Sequence, residues 1–248
     1  MKIVLTPDWF LGKDVLIDFF SFVILFIFLF LCVKNYKLDK NKKLLYLGIG
    51  FGLVGLAELA SIFTKLVLYY DTSFTRAIGQ LVVTYHVVST VDVFYYLGFF
   101  FFRFFTLAGL YVIYKLPLEG EKKTDFLLSI FFIFVISILS QNMDYLFRLT
   151  EFVLLAVIIR NYYFVYKKNR SKKTLILLSA FSILAISNLI YLFSGANVVY
   201  VIADLMELVS YLTMLVLIIK ILKYGKEKKS NGHHFGHFRN NSAKGREY

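Results

Sequence analysis

Residues 19–32, FFSFVILFIFLFLC, decide the fold: they are apolar on every face of a helix, with neither the alternation of a half-buried strand nor the polar stripe of a surface helix. A second run of the same kind, LLSIFFIFVISIL, occupies residues 127–139. A hydrocarbon layer about 30 Å thick is crossed by roughly 20 mainly apolar residues in helical form. Working outward from these two runs, seven segments qualify, at residues 15–33, 44–69, 93–114, 126–141, 145–166, 175–193 and 198–222. The composition can supply them, with 59% hydrophobic residues and a mean hydropathy of +0.70. Membrane strands alternate apolar and polar residues over short segments, and these runs do not. The expectation is an all-α polytopic membrane protein of seven transmembrane helices in one domain, residues 1–223, followed by a basic tail without regular structure, residues 224–248.

Both prolines, Pro7 and Pro117, fall outside the segments, so no helix is expected to be broken by proline. The first segment follows Lys13 and Asp14, contains Asp18 and lacks a small-residue cleavage pattern, and it reads as a retained anchor rather than a removable signal. The lone Cys32 inside it reads as a core thiol.

Loop charges orient the chain. KNYKLDKNKK at 34–43, KLPLEGEKK at 115–123 and KKNRSKK at 167–173 are basic, whereas QNMD at 141–144 and SGAN at 194–197 contain no Lys or Arg. Basic loops stay cytoplasmic, which puts the N-terminus outside and the C-terminus inside the cell membrane. The net charge of +12 then lies mostly against the anionic inner leaflet. The lipid bilayer is the partner that charge implies, and nucleic acid is not expected.

Displacing the chain against itself by 130 residues aligns the first two segments with the fifth and sixth without a gap. Leu16, Leu25, Tyr36, Lys37, Lys42, Lys43, Leu47 and Phe51 meet identical residues at Leu146, Leu155, Tyr166, Lys167, Lys172, Lys173, Leu177 and Phe181. The third and seventh segments match less well and at another offset, through Leu110 with Leu215 and Lys115 with Lys220. The implied scheme is a 3+1+3 internal repeat, residues 15–115 and 145–222 joined by a linker helix at 126–141. An odd number of spans separates the copies, so the repeat is parallel, as in some transporters. This layout is similar to that of the sugar-transporting SWEET proteins. Their characteristic prolines and Pro-Gln signature are absent here, so the likeness is one of topology.

Charges within the bilayer cost several kcal/mol, on the order of 2.5–3.5 at the centre on insertion scales, and usually face a partner or cavity. Glu58, Arg103, Glu151, Asp204 and Glu207 lie within the segments, with Asp18 and Arg148 nearer the outer surface, and all seven fall at the middle or in the outer half. Arg160 is close enough to the inner end to snorkel. Helical spacing puts Asp204, Glu207 and Tyr211 on one face, Arg148 with Glu151 on another, and Glu58 with Lys65 two turns apart. These faces are expected to converge on an acidic pocket in the outer half, open to the outside. The candidate ligand-binding residues are Glu58, Arg103, Arg148, Glu151, Asp204, Glu207 and Tyr211. Carboxylates in excess suit a cation, a proton or an amine-bearing solute, with Arg103 as internal counter-charge or gate. The structural alternative pairs Glu58 or Glu207 with Arg103, and Glu151 with Arg148, to fix helix register.

Other motifs carry less. Gly50, Gly52 and Gly55 satisfy a dinucleotide-binding pattern, but that motif needs a strand before it and a helix after it. Within a membrane helix, Gly48, Gly52 and Gly55 make a smooth packing face instead. A retinal protein would need a lysine in mid-helix, and the last segment has only Lys220 at its inner end. His86, in the stretch 71–92, reads as interfacial, and His233, His234 and His237 in the tail could hold metal only weakly. Without a catalytic set, neither an enzyme nor a cofactor is expected. The reading is binding, with translocation as a further step, of a cation or small polar solute; a sensor or scaffold acting through a cytoplasmic protein partner is the alternative.

Overall fold

The computed structural model describes residues 7–10, 12–40, 42–69, 90–115, 123–193, 198–217 and 219–220. His86 and the tail residues His233, His234 and His237 lie outside the described residues. The helices are α1 (Lys13–Asp39), α2 (Lys42–Tyr69), α3 (Thr90–Lys115), α4 (Lys123–Leu139), α5 (Asp144–Asn169), α6 (Lys172–Leu192) and α7 (Val198–Leu217). Single 3-10 turns occur at Asp8–Phe10 and Ser140–Asn142, and no strand occurs among the described residues. Helices form because an apolar run can satisfy its backbone groups within itself where water is absent.

Six of the helices are long and apolar enough to cross a membrane, and α4 is not, its apolar part being Asp125–Leu139. Among the described residues seven helices are present as expected, six of them long apolar candidate spans and α4 a shorter apolar one. The 17 residues of α4 rise about 26 Å, at the lower end of the length a span needs. It lies antiparallel to α3, with the Tyr111 ring 6.0 Å from Phe126 and Phe100 5.6 Å from Phe134. Its outer face is bare: Leu127 is 73% and Phe131 58% exposed. The other helices also turn large apolar side chains outward, Phe20, Phe30 and Phe63 among them. An exterior of this kind is compatible with a membrane protein.

The core joins the remaining six helices. Leu25 and Phe28 of α1, Phe51 of α2, Leu110 and Ile113 of α3, Leu155 and Ile158 of α5, Phe181 of α6 and Met214 of α7 are all buried in one cluster. At its centre Phe51 and Phe181 stack, ring centroids 5.9 Å apart and planes 14° apart. Helices α6 and α7 are clamped by two hydroxyls that donate across the pair, Ser187 to the Ala203 carbonyl at 2.7 Å and Ser210 to the Ala180 carbonyl at 2.8 Å.

The glycines of α2 serve two neighbours. Gly48, Gly52 and Gly55 lie against Cys32, Leu29 and Phe26 of α1, as a small-residue face predicts. Gly50 points the other way, onto α3, where a Cβ on Gly109 would stand 2.5 Å from the Gly50 carbonyl oxygen. The α2 and α3 backbones therefore touch.

Helix ends recur at the 130-residue displacement. Lys40 ends α1 in the left-handed conformation at φ 50°, its N–H donating to the Tyr36 carbonyl at 2.8 Å. Arg170 ends α5 in the same way at φ 45°, donating to Tyr166 at 2.7 Å. Such φ values are uncommon for residues other than glycine.

Candidate functional site

At the end of the bundle opposite these basic turns, the two ends of the α1–α2 hairpin carry matched polar faces. Asp14 and Asp18 are one turn apart on α1; Ser61, Lys65 and Tyr69 follow at four-residue spacing on α2. The Lys65 Nζ lies 2.7 Å from Asp18 Oδ2 and 3.4 Å from Asp14 Oδ2. Ser61 donates to Asp18 at 2.8 Å, and Tyr69 to Asp14 at 2.8 Å. The Gly12 N–H, preceding α1, caps Asp14 Oδ1 at 3.0 Å.

Helix α7 faces this group with the i, i+3, i+7 set Asp204, Glu207 and Tyr211. The Tyr211 hydroxyl donates to Glu207 at 2.8 Å and lies 3.4 Å from Glu58 Oε1. A hydroxyl has one hydrogen; given to Glu207, it leaves the approach to Glu58 as oxygen against oxygen unless a proton or cation intervenes. Tyr191 of α6 donates to Asp204 Oδ1 at 2.7 Å, whereas Asp204 Oδ2 is buried without a hydrogen-bond partner. On α5, Arg148 is 3.5 Å from Glu151 Oε2 and 3.3 Å from Asn188 Oδ1 of α6, and its guanidinium sits 4.0 Å from the Tyr191 ring centroid.

The cluster thus holds Asp14, Asp18, Glu58, Glu151, Asp204 and Glu207 against Lys65 and Arg148. All but Glu207 and Arg148 are buried, at 7% exposure or less, and those two are partly buried. Among the described residues acids outnumber bases here, in a buried place where unpaired charge is expensive. Among the described residues no set of three or more His, Cys, Asp or Glu is arranged to hold a metal ion.

Of the residues marked in the sequence, Glu58, Arg148, Glu151, Asp204, Glu207 and Tyr211 come together, and Glu151 pairs with Arg148 as its spacing suggests. Arg103 does not join them, which corrects its assignment as their counter-charge. It lies instead 2.9 Å from Asp144 at the start of α5, near the rings of Phe99 and Phe147. The close α2–α3 contact at Gly50 and Gly109 commits a different face of α3 to α2 and turns Arg103 toward α5. Lys65, two turns from Glu58 on α2, pairs with Asp18 and Asp14 of α1. Asp14, Ser61, Asn188 and Tyr191 are further members; their only sequence signal is polarity within or beside an apolar run.

Arg103 is buried, but the Asp144 side chain is 41% exposed. Arg103→Met is therefore expected to cost less than about 1 kcal/mol, since the carboxylate left behind stays hydrated and an apolar replacement removes the desolvation penalty of the guanidinium. Thermal unfolding of the purified variant checks this; a loss above about 3 kcal/mol would mean that Asp144 depends on the pair.

Compared with protein-family models, curated proteins and solved structures, the chain matches none.

Proposed function

We propose that this chain is a multi-pass protein of the cell membrane, N-terminus outside, that binds a cation or small cationic solute at the buried acidic cluster, with translocation as the further step. The observation that carries the reading is the imbalance of the cluster. With Asp14 and Asp18 sharing Lys65, and Arg148 answering Glu151, the acids Glu58, Asp204 and Glu207 keep no basic partner of their own among the described residues, and one Asp204 oxygen accepts no hydrogen bond there. Structural polar networks in membrane helices stabilise only modestly and have no need of surplus acid.

A duplicated, parallel architecture accompanies this reading. Its support is the left-handed caps at Lys40 and Arg170 and the burial of Leu25 with Leu155, Leu47 with Leu177 and Phe51 with Phe181. Polar members of the site also correspond at the same displacement: Asp18 with Arg148, Glu58 with Asn188, and Ser61 with Tyr191. For α3 and α7 the burial pattern pairs Leu107, Leu110 and Ile113 with Tyr211, Met214 and Leu217, one residue away from the register of the identities.

The test is thermal unfolding of the detergent-purified chain against a panel of monovalent and divalent cations and small amines, with Glu207→Gln beside the wild type. At a hundredfold excess over Kd, binding stabilises by about 2.7 kcal/mol, or about 5–10 °C for a chain of this size. The shift is expected in the wild type and absent in Glu207→Gln. No shift with any cation, together with a destabilised variant, would make the cluster a structural network. The second reading, a sensor or scaffold, is favoured by the exposed Lys34, Lys37, Lys42, Lys167, Lys168 and Lys172 at the basic turns, which suit an acidic cytoplasmic partner.

A further inference from the structure

We propose that the Lys65 ammonium occupies the protein's own cation site, and that the ligand is a small primary ammonium, taken up by Asp18 and Asp204 as Lys65 withdraws to Asp14. This rests on the cation-binding reading above and names its ligand class.

Three observations converge on it. Lys65 is held as any ammonium would be, 2.7 Å from Asp18 Oδ2, with the Ser61 hydroxyl on the same carboxylate. A primary ammonium offers three N–H donors, and an acceptor stands ready beside it. Asp204 is 5% exposed, its Oδ1 accepts from Tyr191 at 2.7 Å and its Oδ2 accepts no hydrogen bond. The carboxylates paired with Lys65 are Asp18 and Asp14. A buried, unsatisfied carboxylate oxygen therefore belongs to the same polar cluster as the Lys65 ammonium.

Lys65 also has somewhere to go. Asp14, one turn further along α1 toward the bundle end, is already 3.4 Å from Nζ and is fixed by Tyr69 and Gly12. Lys65 lies four residues before the end of α2 at Tyr69, about 6 Å of helix rise, within the span a lysine stem covers when it snorkels. Moving the ammonium from Asp18 to Asp14 keeps it paired throughout and frees Asp18 and Asp204 for an incoming cation. A tethered competitor lowers apparent affinity by the fraction of time it holds the site, so deleting it should tighten binding.

Lys65→Ala removes a group equivalent to n-propylammonium, which makes that amine the probe. The melting temperature of the full-length, detergent-purified chain is followed against n-propylammonium chloride, with sodium chloride and tetramethylammonium chloride at equal ionic strength as controls. Lys65→Ala is expected to rise by about 5–10 °C at saturation and to half-saturate at about tenfold lower amine than the wild type. Adding Asp18→Asn should abolish the response. Equal half-saturation in wild type and variant, or an equal effect of sodium or tetramethylammonium, overturns the proposal. If Lys65→Ala is not recovered folded, membranes are extracted with n-propylammonium present. Recovery there but not in sodium supports the site, and failure in both overturns it. A wild type shifted by a cation in a Glu207-dependent way, beside an unresponsive Lys65→Ala, rejects the Lys65 site alone; an unresponsive wild type as well rejects both readings.

Discussion

Replacing Arg148 by methionine should destabilise the protein by about 3–5 kcal/mol, the usual cost of breaking a buried ion pair from one side. The Glu151 side chain is 4% exposed and Arg148 is its paired cation at 3.5 Å. The substitution would also strip Asn188 Oδ1 of a donor and the Tyr191 ring of the guanidinium stacked on it. Adding Glu151→Gln should restore most of the loss, because the stranded charge is then gone. The contrast with Arg103→Met, where the abandoned carboxylate reaches solvent, separates burial of the partner from loss of the pair. Melting of the two single variants and the double variant decides it; a double variant no more stable than Arg148→Met would place the contribution of Arg148 in packing.

The second large effect is steric. Gly109→Leu is expected to cost about 3 kcal/mol or more, at or above the upper end for overpacking. A Cβ at Gly109 would meet the Gly50 carbonyl oxygen at 2.5 Å and Val54 Cγ2 at 2.8 Å. Backbone cannot rotate away as a side chain can, so α2 and α3 would have to separate, carrying Glu58 and Lys65 with them. Gly55→Ala makes the comparison, since its Cβ would meet side chains rather than backbone, the edge of the Phe26 ring at 3.0 Å and Leu25 Cβ at 3.3 Å. It should cost less than about 1 kcal/mol. Similar losses for the two variants, read from unfolding midpoints, would mean that the α2–α3 crossing is not tighter than the α1–α2 one.

The helices themselves were legible because a run such as residues 19–32 has no alternative reading. Their ends were less so: α1 and α5 extend through the basic residues to Lys40 and Arg170, where a side-chain-independent backbone cap stops them. The length of α4 was visible in the count of residues, but its lateral position against α3 was not. The site divides in the same way. The i, i+3 and i, i+4 sets within one helix, Glu207 with Tyr211 and Arg148 with Glu151, follow from helical geometry alone. Partners on different helices depend on which faces meet, and that is decided by contacts such as Gly50 with Gly109. Arg103, a mid-helix cation, was thus assigned to the acids of α2 and α7 when its face turns to α5. Lys65 and Asp18 are 47 residues apart and become a pair only once α1 and α2 fold back on each other.

The stacked rings of Phe51 and Phe181 have an electrical consequence. Carrying one elementary charge across a whole membrane engages about 2.3 kcal/mol per 100 mV. A cation entering from the side of Asp14 and stopping at Glu58 would cross no more than about half of that field, about 1 kcal/mol per 100 mV, or roughly fivefold in affinity. The remaining potential would fall across the dry aromatic layer that Phe51 and Phe181 close. Binding should therefore be only weakly sensitive to voltage, and any strong voltage dependence of flux would originate at that layer.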